Sequence, residues 1–242
     1  MAPFHARVLH VPVTESTMDD ARGLAESGAP EGMVVRADRQ AYGRGRAGRA
    51  WSSPPGGLWM TLVLRPRRGA EAWPLLGLVV GSACCAAAER YGVSARVKWP
   101  NDVLIDGKKV AGFLLESRLG EFLLVGCGIN VTVDRALLPD GTRELATSLH
   151  EHTATPLDVE AFLATYLEAF GSRYEAWERG DDEALCEEWR RRALTLGQPV
   201  RTESGLTGVA KDIDRQGALL VETADGHLER VAWGDVVRAE VR

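Results

Sequence analysis

V-K-W-P-N-D-V-L-I-D-G-K-K-V-A-G-F-L-L-E, residues 97–116, reads as a strand, a break and a hairpin. The strand predicted over residues 96–99 stops at Pro100, because proline has no N–H to donate to a ladder. Beyond it, residues 103–105 and 109–116 flank Asp106-Gly107, the kind of dipeptide that two-residue type I′ turns demand. Lys109 falls early in the second strand. Taken alone, such a lysine is a solvated charge at a sheet edge. Gly112, inside the same strand, marks a bulge or a close backbone approach.

Outward from the hairpin, strands and helices follow in mixed order. F-L-L-V-G-C-G-I-N-V-T-V, residues 122–133, reads as a strand with Gly126 and Gly128 two apart. Period-two alternation puts both glycines on one face, leaving a flat strip where a planar ligand or a bulky neighbouring side chain can lie. Upstream, residues 6–11, 33–37 and 58–64 are predicted strands. Residues 16–27 form a helix with Ser16 or Thr17 as N-cap, Asp19 and Asp20 in its first turn and Gly28 at its stop. A small-residue helix is expected over 73–91, with Gly77 and Gly81 allowing close approach to a sheet. Downstream, a connection over 139–156 holds a short helix. Val159, Phe162, Leu163, Tyr166, Phe170, Tyr174 and Trp177 recur at three- and four-residue spacing, giving an amphipathic helix over 158–179. A further helix spans 181–194.

From Gly197 the period changes to short alternating strands, among them V-R-T, G-V-A-K-D-I, A-L-L-V-E, E-R-V-A-W and V-V-R-A-E-V, with turns at E-S-G, D-R-Q-G and A-D-G. The expected architecture is an α/β domain over residues 1–194, with a small SH3-like β-barrel over 195–242. The length of 242 residues, 45% hydrophobic and 26% charged, suits a globular protein with an adequate core. A net charge of −5 argues against a general nucleic-acid coat. Cys84, Cys85, Cys127 and Cys186 show no C-x-x-C spacing and read as buried reduced thiols. The first residues lack the apolar run of a signal peptide, and residues 73–88 are too short to span a bilayer. A cytoplasmic location without membrane attachment is the expectation.

One stretch departs from this mild acidity. R-A-D-R-Q-A-Y-G-R-G-R-A-G-R-A-W, residues 36–51, carries five arginines and one aspartate interleaved with Gly43, Gly45 and Gly48. Arginine offers planar bidentate donors, and glycine lets main-chain N–H groups come close to a ligand. The loop reads either as an anion clamp or as a basic surface patch.

Taken in order, five motifs resemble the biotin protein ligase family along nearly the full chain. They are S-T-M at residues 16–18, Q-A-Y-G-R-G-R-A-G-R-A-W at 40–51, K-W-P-N-D-V at 98–103, G-K-K-V-A-G at 107–112 and G-C-G-I-N-V at 126–131. G-A-L-L-V-E at 217–222 resembles the family's small C-terminal domain. The family usually has S-T-N where this chain has Met18, which puts a polar role for that position in doubt.

The resemblance implies a class II synthetase-like catalytic domain that condenses biotin and ATP to biotinyl-5′-AMP. The biotin is then passed to a lysine of a carrier domain in acetyl-CoA carboxylase or a related enzyme. By this resemblance Ser16, Thr17, Met18, Gln40, Arg44, Gly45, Arg46, Trp51, Lys109, Gly112, Gly126 and Gly128 meet biotin. Arg44, Gly45 and Arg46, with Arg49 as a weaker candidate, meet the phosphates, and Lys109 serves both carboxylate and α-phosphate. Lys109 and Arg46 are the implied catalytic pair. Asn101, Asp102 and Asn130 either orient loops or stand near the nucleotide and its Mg²⁺. Magnesium needs few direct protein ligands, so no metal motif is expected. No DNA-binding role is implied, since the catalytic domain is read as starting almost at Met1, and a monomer or weak homodimer is expected. Two other readings stay open: a lipoate–protein ligase type of acyl transferase, and a non-enzymatic nucleotide or nucleic-acid binder.

Overall fold

The computed structural model describes residues 4–118, 120–232 and 234–239. The first unit is a seven-stranded mixed sheet. In chain order its strands are β1 (Arg7–Thr14), β2 (Met33–Gln40), β3 (Gly57–Leu64), β4 (Arg96–Lys98), β5 (Asp102–Ile105), β6 (Lys108–Arg118) and β7 (Phe122–Asn130). They lie side by side as β1-β2-β3-β7-β6-β5-β4. β1 and β2 run parallel, joined by helix α1 (Thr17–Glu26), and the other ladders are antiparallel. The β5–β6 hairpin closes as its sequence demands: Asp106 and Gly107 both take positive φ, 49° and 77°, and Ile105 faces Lys108 across the turn.

Strand alternation divides the sheet into two faces. On one, Met60, Leu62 and Leu64 of β3 join Val125, Cys127 and Ile129 of β7 in a core with α2 (Trp73–Glu89), α4 (Val159–Arg179) and α5 (Asp182–Arg192). A further one-turn helix, α3 (Asp140–Arg143), lies in the connection before α4. The predicted α4 aromatics are buried, and Tyr166, Phe170, Tyr174 and Trp177 stack in succession. Asp158 caps α4 by accepting from Ala161 N–H at 2.9 Å. Only with the 3₁₀ turn before it does α2 make a helical stretch, Ala70–Glu89, apolar and long enough to pass for a membrane span, and that helix is the core of this face. Gly81 of α2 approaches the sheet: a Cβ there would stand 3.4 Å from Val97. Gly77, expected to do the same, has no atom within 4 Å of such a Cβ.

On the opposite face α1 packs Met18, Ala21 and Ala25 against Val35, Val63, Phe122 and Leu124. Leu124, Gly126 and Gly128 alternate onto this side of β7, so the glycines face away from the main helical layer. The sequence placed a cap at Ser16 or Thr17. Ser16 does occupy the N-cap, but its side chain makes no capping bond, and Thr17 is already helical.

The second unit is a five-stranded antiparallel sheet of β8 (Pro199–Thr202), β9 (Thr207–Ile213), β10 (Leu219–Glu222), β11 (Leu228–Val231) and β12 (Val236–Arg238), in the order β11-β10-β9-β8-β12. Among the described residues no ladder joins β11 to β12, so the sheet is antiparallel without the closed barrel expected from sequence. Trp233 and residues 240–241, assigned to strands from the sequence, lie outside the described residues. Trp99, just after β4, stitches the two units. Its N–H donates to Thr195 Oγ1 at 2.9 Å, and its indole N–H donates to Gly217 O at 3.0 Å.

All four cysteines are free and buried. Burial disfavours the thiolate, pushing Cys85 and Cys127 up to about 12 and Cys186 to about 11, and Cys84 rises well above the ordinary range. Native protein at pH 8 is therefore expected to resist iodoacetamide, with all four thiols alkylated only in denaturant. Rapid labelling of any of them in the native state would contradict this burial. The folded state holds these protons more tightly than the unfolded chain, so stability falls as pH rises from the ordinary thiol range towards 12.

Candidate active site

On the α1 side of the sheet a cavity of about 480 Å³ opens between α1, the basic loop, the glycine strip and residues 235–237 of the second unit. Its size suits a small-molecule site. The sequence-predicted residues Ser16, Thr17, Met18, Gln40, Arg44, Gly45, Arg46, Trp51, Asn101, Lys109, Gly112, Gly126, Gly128 and Asn130 all line it. Arg49 and Asp102 line it as well.

One part of the cavity wall is a network of neutral hydrogen-bonding groups. Gln40 Oε1 accepts from Thr17 N–H (2.8 Å) and from Thr17 Oγ1 (3.0 Å), while Gln40 Nε2 donates to Ser53 Oγ (2.8 Å). Thr17 Oγ1 also pairs with Thr61 Oγ1 at 2.9 Å. These bonds fix the orientation of the Gln40 amide. Ser16 Oγ, beside this network, is buried without a partner. Leaving such a group unpaired costs about 1–3 kcal/mol, so the position favours a ligand that hydrogen-bonds to it.

The floor is the cross-strand pair Gly112–Gly128 with Gly126 beyond it. A Cβ on Gly128 would lie 2.6 Å from the Trp51 ring, one on Gly112 2.9 Å from it, and one on Gly126 2.8 Å from Met18 Sδ. The strip read as room for a planar ligand thus seats Trp51 and Met18, the bulky-neighbour alternative. Trp51 Nε1 is itself buried without a partner. Met18 contributes an apolar wall and no hydrogen bond.

The same cavity also carries cations. Lys109 Nζ lies 2.6 Å from Asp102 Oδ1 and 5.1 Å from the Trp51 ring centroid. Arg44 forms a bidentate pair with Asp19, at 2.8 and 2.6 Å, and this hydrogen bonding raises the pKa of the guanidinium. Arg46 Nη1 donates to Asn101 Oδ1 (3.2 Å) and to Asp235 Oδ1 (2.8 Å), and Arg49 pairs with the other oxygen of Asp235 at 2.5 Å. The N–H of Gly45, expected to face a phosphate, donates instead to Arg49 O at 2.7 Å and braces the loop. Arg36 leaves the cluster altogether: it is buried in β2 and pairs with Asp38 and Glu160.

Asn101 Nδ2 donates to Phe113 O (2.7 Å) and Asn130 Nδ2 to Thr147 O (2.9 Å), so both asparagines orient neighbouring main chain. Among the described residues no three His, Cys, Asp or Glu side chains group as a metal site, and the cavity's Asp102 and Asp235 are already paired with cations.

Sequence reasoning missed Asp19, Ser53, Thr61 and Asp235. Asp19 had been read only as a helix-terminus acid. Ser53 and Thr61 carry no local signal, and Asp235 comes from the second unit. The exposed Leu145 and Val237 at the cavity rim were also missed.

This combination of a mixed sheet with a neutral hydrogen-bonding network and cations in one cavity defines a small-molecule-activating site. Residues 10–134 match the Biotin/lipoate A/B protein ligase family, and residues 195–238 match the Biotin protein ligase C terminal domain. The chain is 35% identical over 238 residues to the bifunctional ligase/repressor BirA of Bacillus spizizenii, covering 95% of this chain and 73% of that protein. It is 34% identical to the biotin–[acetyl-CoA-carboxylase] ligase of Mycobacterium tuberculosis, covering 93% and 86% respectively. The Aquifex aeolicus biotin protein ligase, solved in complex with biotin and ATP, superposes with a TM-score of 0.85 at 29% identity, over 96% of this chain and 99% of that one. The chain belongs to the biotin/lipoate A/B protein ligase family.

Proposed function

We propose that this protein is a biotin–protein ligase that activates biotin with ATP and transfers it to a carrier-domain lysine of acetyl-CoA carboxylase or a related carboxylase in the cytoplasm. The observation that carries this reading is the pairing, in one cavity, of the unpartnered Ser16 hydroxyl beside the Thr17–Gln40 network with Lys109 and Arg46. A ureido group has one acceptor and two N–H donors, which matches a wall of hydroxyls and a fixed amide. Met18 and Trp51 suit the apolar remainder of the ligand.

In the first step a biotin carboxylate oxygen attacks the α-phosphorus of ATP, a P–O bond forms, and the bond to pyrophosphate breaks. Two anions must meet, so Lys109, Arg44 and Arg46 offset their repulsion and stabilise charge on the phosphate oxygens as it develops. Mg²⁺ arriving with the nucleotide would neutralise part of the triphosphate charge and would need few ligands from this chain. In the second step the neutral amine of the carrier lysine attacks the acyl carbonyl. The amide bond forms, AMP leaves with the bonding electron pair, and the amine proton passes to solvent. Proximity of the reactive anhydride to the amine supplies the rate.

Calorimetry with biotin and with lipoate tests the substrate class: biotin is expected to bind and lipoate not, and lipoate binding without biotin binding would overturn the assignment. The basic loop is proposed to close over the adenylate. Trypsin cleavage at Arg44, Arg46 and Arg49 is accordingly expected to slow when biotin and ATP are present together, whereas equal cleavage with and without them counts against a lid.

A further inference from the structure

Lys109 is held by its main chain as well as by its ion pair. Its N–H donates to Leu145 O at 2.8 Å, and its carbonyl accepts from Thr147 N–H at 2.9 Å. The segment 145–147 therefore runs beside the start of β6 as a short parallel bridge centred on Ala146. A clamp of this kind sets where the lysine's Cα sits, and hence where its ammonium can reach.

The clamp has two side-chain anchors, both on Thr147. Asn130 Nδ2 donates to its carbonyl, and its buried hydroxyl shares a 2.7 Å hydrogen bond with His152 Nε2. The other ring nitrogen of His152 stands 3.7 Å from Asp106 Oδ2, in the two-residue turn that leads into β6. The imidazole, on the short 3₁₀ turn Leu149–His152, thus hydrogen-bonds the clamp, while the exposed Asp106 carboxylate stands beyond hydrogen-bond distance. His152 lies outside the five motifs and outside the cavity wall.

We propose that His152 is a positioning residue for Lys109, holding the segment 145–147 in place through the Thr147 hydroxyl so that the lysine keeps its register at the reacting centre. This rests on the ligase reading of Lys109. A displacement of about 1 Å at a reacting group can cost on the order of 100-fold in rate, so a partial loosening is expected to cost roughly tenfold.

The test uses the full chain with His152→Ala and His152→Gln, the glutamine amide being long enough to reach Thr147 Oγ1. Biotin-dependent ATP–pyrophosphate exchange and amide hydrogen exchange at Lys109 and Thr147 are measured for both and for wild type. His152→Ala is expected to lower kcat about tenfold with KM for biotin unchanged and to speed exchange of both amides, and His152→Gln is expected to restore both readouts. Wild-type kcat in His152→Ala, unchanged amide exchange, a loss carried by KM for biotin, or failure of His152→Gln to rescue each overturns the proposal. Absence of exchange activity in wild type would instead sink the ligase reading, while the amide measurements still decide whether His152 holds the clamp.

Discussion

Lys109→Ala is expected to lower biotin-dependent pyrophosphate exchange by about 10²–10³-fold, the scale seen when one preorganised donor to a developing charge is removed. Two effects add. The ammonium that offsets two converging anions disappears, and Asp102, its partner at 2.6 Å, is left as an unpaired carboxylate in the same cavity. The second effect is repulsive towards both carboxylate and phosphate. It also makes the prediction selective: Asp102→Asn added to Lys109→Ala is expected to recover part of the loss. Activity of the single variant within twofold of wild type would remove Lys109 from the mechanism.

Arg46→Ala is expected to reduce kcat/KM for ATP by about 10²-fold while leaving biotin affinity nearly unchanged. The separation follows from its partners. Arg46 bonds to Asn101 and Asp235, and among the described residues no bond joins it to the Thr17–Gln40 network. Arg46→Lys should restore little, because a point charge cannot reproduce the paired coplanar donors that a guanidinium offers a phosphate. Calorimetric titration with biotin and steady-state titration with ATP separate the two affinities. Equal loss of both would mean that the guanidinium holds the loop shut and does not bind the nucleotide.

Much of the fold is written locally. Asp106-Gly107 between apolar runs forced the hairpin, Asp158 and Gly180 bracket α4, and the period change after Gly197 marks the second sheet. The placement of Gly126 and Gly128 on one face follows from alternation, whereas Lys109 and Gly112, three apart, reach the same cavity because the β5–β6 ladder shifts register between Val103 and Leu104. The parts that were not legible depend on contacts between distant segments. That Trp51 would lie over Gly112 and Gly128, or that Asp235 would reach Arg46 and Arg49, is encoded in no spacing. Arg36 was misplaced for a nearer reason. It falls inside the predicted strand 33–37 yet was counted with the basic loop, and its pairing with Asp38 and the distant Glu160 is what buries its charge. Ser16 looked like a helix cap, and its hydroxyl turns out to be free of capping.

Arg44, Arg46, Arg49 and Lys109 face Asp19, Asp235 and Asp102 across or beside the cavity. The site is therefore loaded with its own fixed counter-ions, as a resin is before use. A phosphate chain that enters competes with tethered carboxylates more than with free salt ions, so few small ions are released on binding. Nucleotide affinity should then vary with ionic strength much less steeply than the affinity of a bare basic patch for a polyanion. Part of the selectivity for the ligand lies in what it must displace.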